Sequence, residues 1–221
     1  MRREKTSVSQ EDYLKAIWEM LEEEEAPIAA RLAEQLDVTP PAVTAALKRM
    51  TRGDFLRVGR DGRISLTGKG RGVAQHLALR HQLAEKLLTE VIGLDWAKAH
   101  EEAERLEHGI SPEVETLLLK RFSAQGNCPH GVPLVGGIAK LRKKSGAVPL
   151  SEIPAGARVE ILAVYERDPD FLKFLSNLGL KPHVRAQIRK REYDQTILLA
   201  ANSRNIHLGL PATSRIWVKR L

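Results

Sequence analysis

A single cysteine, Cys128, stands in 221 residues. This excludes a disulfide framework, a cysteine-based zinc finger and an iron–sulfur site. No apolar run approaches the ~18 residues that a membrane span needs. The start, Met1-Arg2-Arg3-Glu4-Lys5, leads into no signal-peptide core. A cytoplasmic protein with no membrane partner is therefore expected. There is no His-Glu-x-x-His pair, and Gly68-Lys69-Gly70-Arg71-Gly72 lacks both the full Walker pattern and a preceding buried strand, so no nucleotide site is read there. The composition does support a core: 43% of residues are hydrophobic and 29% charged, which excludes wholesale disorder. The length fits one large or two to three small domains.

The net charge of +7 is unevenly placed. Residues 1–38 carry five basic and ten acidic side chains, residues 39–72 eight and two, residues 73–135 six and nine, and residues 136–221 sixteen and seven. Two acidic blocks thus alternate with two basic ones, which implies contact with a polyanion in one place and with a cation in another.

The acidic first block holds a helical stripe of Tyr13, Leu14, Ile17, Trp18 and Leu21, with Ser9 as the expected N-cap and Pro27 beyond the end. A short helix is expected at about 28–36. Thr39-Pro40-Pro41 then caps a third helix running to about Arg52, which buries Val43, Leu47 and Met50. Phe55–Val58 and Arg63–Leu66, joined through Asp61-Gly62, read as a β-hairpin. Thr67 caps a long helix to about Val91. This order is that of a winged helix-turn-helix, and the basic block coincides with its third helix and wing. Thr39, Pro41, Ala42, Thr44 and Ala45 form the exposed side of that helix; their small, mostly methyl-bearing side chains suit close approach to a major groove. Lys48, Arg49 and Arg52 close the helix, and Arg57, Arg60, Arg63, Lys69 and Arg71 lie on or beside the hairpin, where they suit phosphate. None of the small residues makes a bidentate base contact, so shape readout must carry part of any specificity.

The second acidic block carries the candidate chemistry. His81 and Glu85 stand at i, i+4 on one helix. A further helix expected from Trp96 carries His100, Glu104, Glu107 and His108 within an arc of about 100°, beside the apolar stripe Trp96, Ala99, Ala103 and Leu106. A solvated face would interleave lysines at i+4 to relieve repulsion, and this arc has none. Imidazoles and carboxylates without thiolate suit octahedral, harder divalent ions such as Mn²⁺ or Fe²⁺.

Glu11-Asp12-Tyr13-Leu14, Arg80-His81-Gln82-Leu83-Ala84-Glu85, Glu104-Arg105-Leu106-Glu107-His108 and Cys128-Pro129-His130-Gly131 together resemble the diphtheria-toxin-repressor family of metal-dependent regulators, over essentially the whole chain. The resemblance implies one metal site on His81, Glu85 and His100 and another on Asp12, Glu104, Glu107 and His108. Iron-type members have Met and Cys where this chain has Asp12 and Glu104. The exchange of sulfur for carboxylate oxygen agrees with the harder ion, so manganese is expected first and iron second. Dedicated manganese members carry a glutamate one turn after the aspartate. Here that position is Lys15, so two separate sites per subunit are expected in place of their two-metal cluster. Cys128-Pro129-His130-Gly131 is read as a structural loop.

The resemblance also implies a mainly α protein with β: a winged helix-turn-helix over 1–72, a helical dimerisation and metal-binding domain over 73–138, a linker at 139–148, and an SH3-like small β-barrel over 149–221. Alternating runs at Arg158–Tyr165, His183–Lys190 and Thr196–Ala201 fit the barrel. In longer family members this domain can reach back to a metal site. Asp170 matches one such donor position and Arg167 the other, with Glu166 or Asp168 as substitutes for that arginine.

The reading is a homodimeric, Mn²⁺-preferring DNA-binding repressor of metal-uptake genes, acting on a palindromic double-stranded operator, with no small organic substrate and no enzymatic activity. Two alternatives stay open: a winged-helix regulator of a small organic ligand with a structural His/Glu cluster, and a metal-dependent hydrolase with a DNA-binding domain.

Overall fold

The computed structural model describes residues 7–22, 25–123, 126–134 and 136–221. They fall into two compact units, Met1–Arg80 and His81–Leu221. No described helix is long and apolar enough to cross a membrane.

In the first unit, α1 (Val8–Glu22), α2 (Ala29–Gln35) and α3 (Pro40–Arg52) precede β1 (Leu56–Val58) and β2 (Ile64–Leu66). The cap of α1 is Ser7, two residues earlier than the expected Ser9. Its hydroxyl accepts from the Gln10 amide while the Gln10 side chain accepts from the Ser7 amide, a reciprocal capping box. At α3, Thr39 takes the N-cap position and Pro40 and Pro41 fill the first turn, where a missing N–H costs nothing. Leu14, Ile17, Leu32, Val43, Met50, Leu56 and Ile64 meet in one core. The hairpin is antiparallel, pairing Leu56 with Leu66 and Val58 with Ile64. Its turn needs Gly62, whose φ is +76°. Thr67 caps α4 (Gly68–Lys86) by accepting from the Gly70 amide at 3.1 Å while donating to the Asp54 carbonyl at 2.7 Å.

In the second unit, the end of α4 passes into a π-helical turn, Leu87–Ile92, closed by Gly93 in the left-handed region at φ +81°. Asp95 caps α5 (Trp96–Leu106). That helix stops at Leu106, and Glu107–Gly109 form a 3₁₀ turn. The single helix expected to carry His100 through His108 is therefore broken before Glu107. Ser111 caps α6 (Pro112–Phe122). Residues expected as a linker instead include helix α7 (Gly137–Ser145), anchored by buried Leu141 with Lys140, Arg142, Lys143 and Lys144 exposed.

A six-stranded antiparallel sheet follows, in the order β3 (Val148–Pro149), β8 (Ile216–Arg220), β4 (Arg158–Val164), β5 (Arg185–Arg191), β6 (Ile197–Ala201), β7 (Arg204–Leu208). Bulges in β4 and β5 bend it around Val159, Ile161, Ile188, Leu199 and Val218, with Leu172 and Leu175 of α8 (Pro169–Leu178) in the same core. This is the expected SH3-like domain, and α9 (Leu210–Thr213) completes the elements. Trp96 of α5 packs against the sheet core, which brings the helical donors toward the β4–α8 loop.

Candidate metal centre and nucleic-acid interface

Helical spacing sets His81 and Glu85 on one face of α4, and α5 brings His100 to them. All three are buried, at 2%, 0% and 4% exposure. His81 Nε2 lies 3.1 Å from Glu85 Oε1 and 2.9 Å from His100 Nδ1, and His100 Nδ1 lies 3.2 Å from the same Oε1. Three donor atoms separated by about 3 Å match one face of an octahedron with bonds of ~2.1 Å. Two imidazoles and one carboxylate form a facial set suited to a divalent first-row ion. His81 is oriented from behind, since its Nδ1 lies 2.6 Å from Glu107 Oε2. A carboxylate behind a ligating imidazole is a common supporting arrangement in metal sites.

The structure adds donors from the Cys128–Gly131 loop, which is expected only as a structural turn. The loop Cys128-Pro129-His130-Gly131 is a turn, closed by the Gly131 amide donating to the Cys128 carbonyl. Gly131 is required: its φ is +88°, and a Cβ there would lie 1.9 Å from the Leu162 carbonyl oxygen. The turn also delivers chemistry. Glu85, Cys128, His130 and Glu166 each bring a donor atom within 4.8 Å of the others. His130 Nε2 lies 3.0 Å from the Trp96 carbonyl, which accepts its proton and leaves Nδ1 facing inward. That Nδ1 is 3.2 Å from Glu85 Oε1 and 3.4 Å from Glu166 Oε2, yet it makes no hydrogen bond among the described residues, and neither does Glu85 Oε2. A buried lone pair facing two carboxylates needs a proton or a cation between them.

The electrostatics say the same. Burial works against charge on Glu85, but His130 and His81 hold its carboxyl well below the usual range. Burial likewise opposes the His130 cation, and the carboxylates of Glu85 and Glu166 outweigh it, raising the ring to about 10. Burial and then Glu166 and Glu85 push the Cys128 thiol up, so without a cation it stays protonated and donates to Glu166 Oε2 at 3.2 Å.

Other expected ligands stand differently. Glu107 is 2% exposed, despite leaving the α-helix. The His108 imidazole is 3.8 Å from Glu107 Oε1, and Glu104 Oε1 is 3.6 Å from His100 Nε2 with its side chain 58% exposed. Asp12 is half-buried on α1 of the first unit. Asp170 is not brought to the cluster. It is exposed in the first turn of α8, because Asp168 is the residue that caps this helix and pairs with Arg215 at 2.8 Å. Glu166, just before that cap, is the residue that turns inward. Cys128 and His130 at i, i+2 in a chain with one cysteine are the sequence signal for the missed donors.

On the first unit, the N-cap Thr39 and Pro41, Ala42, Thr44, Ala45, Lys48, Arg49 and Arg52 of α3 are all exposed, as are Arg60 and Arg63 of the wing. The helix buries Val43, Ala46, Leu47 and Met50 on its other side. A small-residue helix face flanked by unburied cations is the surface that a DNA groove requires.

A winged-helix unit with an exposed basic recognition helix, followed by a buried imidazole–carboxylate centre, defines a metal-responsive DNA-binding regulator. Models of the iron-dependent repressor match here: the N-terminal DNA-binding domain at residues 5–62 and the metal-binding and dimerisation domain at 67–135, followed by the FeoA domain at 148–220. The iron-dependent repressor IdeR of Mycobacterium tuberculosis is 34% identical over 222 residues, covering 96% of each chain. The diphtheria toxin repressor of Corynebacterium diphtheriae is 33% identical over 210 residues, covering 90% of this chain and 91% of its own. A manganese-dependent transcriptional repressor solved in complex with manganese superposes with a TM-score of 0.83 at 26% identity, over 96% of this chain and 100% of that one. The chain belongs to the iron-dependent repressor family, whose members are metal-dependent transcriptional repressors and not enzymes. The hydrolase alternative is thereby set aside.

Proposed function

We propose that this protein is a cytoplasmic, homodimeric repressor of metal-uptake genes, activated by Mn²⁺ in preference to Fe²⁺ and bound to palindromic operators. The observation that carries the reading is the buried set around Glu85, whose Oε2 and the nearby His130 Nδ1 are left without hydrogen bonds among the described residues. One site is assigned to the Glu85 centre. The other, following the family resemblance, is assigned to Asp12, Glu104, Glu107 and His108. Cys128 adds one sulfur beside Glu85, whereas the Asp12 set has none, so the preference for a harder ion is placed in the Asp12 set. A bound divalent ion supplies positive charge that offsets the clustered carboxylates.

The residues do the rest. His81 and His130 present one nitrogen each to the centre because Glu107 and the Trp96 carbonyl hold the other. Asp12, on the helix that precedes the recognition motif, makes the DNA-binding unit sense the metal. Leu106, Val114 and Leu117 are exposed apolar residues in the segment matched to the dimerisation domain, which supports a second copy as the partner. In a dimer the two recognition helices would address half-sites about 34 Å apart. A coupling of roughly 1–3 kcal/mol between metal and DNA suffices for regulation.

The test is DNA binding to the protein's own promoter region across buffered free Mn²⁺ and Fe²⁺, with Asp12→Ala alongside. Tightening by Mn²⁺ at lower free concentration than Fe²⁺, lost in Asp12→Ala, is expected. Equal DNA affinity with and without chelator would sink the mechanism.

A further inference from the structure

We propose that Glu85 is shared by two adjacent cation positions, one completed by His81 and His100 and the other by Cys128, His130 and Glu166, so that this centre takes up a pair of ions. The proposal rests on the metal reading above and deepens it.

Six side chains converge here, but their donor atoms do not fit one coordination sphere. They form two groups, each with its atoms within 4.8 Å of one another, and Glu85 is the member common to both. Glu85 Oε1 lies 3.1 Å from His81 Nε2 and 3.2 Å from His100 Nδ1 on one side of this division, and 3.2 Å from His130 Nδ1 on the other. A carboxylate has two oxygens, and Oε2 is fully buried without a hydrogen-bond partner among the described residues. Oε1 therefore stands between the nitrogens of both groups, and Oε2 is left over to bind a second cation. His130 Nδ1, in a side chain that is 0% exposed, is the buried nitrogen of the second group, facing the Glu85 and Glu166 carboxylates at 3.2 and 3.4 Å without a well-formed hydrogen bond among the described residues.

Each group is also held from outside. Glu107 stands behind His81 and the Trp96 carbonyl behind His130, so each ring is fixed independently of the other. The charges balance better with two ions. The Glu85 and Glu166 carboxylates and a Cys128 thiolate would present three negative charges, more than a single divalent ion offsets. Paired ions bridged by a carboxylate stand about 3.5–4 Å apart in other proteins.

Co²⁺ titration of metal-stripped full-length protein tests this, in an Asp12→Ala, His108→Ala background that removes the other assigned site. Two Co²⁺ per chain are expected, with a thiolate-to-cobalt charge-transfer band reporting the Cys128 group. Cys128→Ser should lose the band and retain one ion, while His100→Ala should retain the band and lose the other ion. Mn²⁺-loaded protein should give the electron paramagnetic resonance spectrum of a spin-coupled pair. Circular dichroism confirms that each variant is folded. A single Co²⁺ per chain, or an uncoupled Mn²⁺ spectrum at saturation, would overturn the pair while leaving the metal reading intact. Absence of Co²⁺ binding in the wild-type protein would overturn both.

Discussion

His81 Nδ1 lies 2.6 Å from Glu107 Oε2, and both side chains are about 2% exposed. One residue proposed as a ligand of the Asp12 set thus also orients a ligand of the Glu85 centre. Glu107→Gln keeps the shape but replaces the charged acceptor behind His81 Nδ1 with a neutral one. Mn²⁺ affinity at the Glu85 centre should fall roughly 10–100-fold. Calorimetric titration in the Asp12→Ala, His108→Ala background checks it, and unchanged affinity would show that Glu107 plays no orienting part.

The metal-free protein should lose stability as pH rises. His130 is held at about 10 in the folded chain, above the ~6.5 of an unfolded histidine. Its contribution is therefore full below about pH 6.5 and lost as pH climbs through about 10. Glu85 and Glu166 are lowered, so theirs is present above the unfolded carboxylate value of ~4.3 and lost as pH falls through the folded values. Thermal melts of the chelated protein should decline from pH 7 to 10, and His130→Gln should flatten that decline. Added Mn²⁺ should give a larger gain in melting temperature at pH 8 than at pH 6, because a metal competes with the His130 proton.

Arg60 is exposed on the wing. Arg60→Ala should weaken binding about equally for operator and unrelated duplexes and lower the salt slope by about 1. Fluorescence anisotropy over a salt series measures both. A loss confined to the operator would instead make Arg60 a base-reading residue.

Gly70 is fixed by packing and not by phosphate. A Cβ at Gly70 would lie 1.9 Å from the Phe55 carbonyl oxygen, whereas Cβ atoms at Gly68 and Gly72 would meet nothing within 4 Å. Gly70→Ala should destabilise the first unit by roughly 1–3 kcal/mol; Gly72→Ala should not destabilise it. Urea denaturation of the two variants distinguishes them.

What the sequence determined by itself is local. The α3 stripe of Val43, Leu47 and Met50, the Asp61-Gly62 hairpin and the i, i+4 pair His81 and Glu85 all follow from periodicities of a few residues, and those hold in the structure. The single cysteine excluded a disulfide, but its reading as a structural loop residue was incomplete, because its partner Glu166 is 38 positions away. Only packing of Trp96 and α8 on one sheet core, and the capping of α8 by Asp168, decided that Glu166 would face Glu85. Helical angles placed Glu107 and His108 on α5, yet that helix ends at Leu106. Periodicity carries direction only as far as a helix continues, and burial of Glu107 against His81 was decided by the meeting of α4 with the turn after α5. Donor type is written residue by residue; which donors share a cation depends on distances that only the folded chain sets.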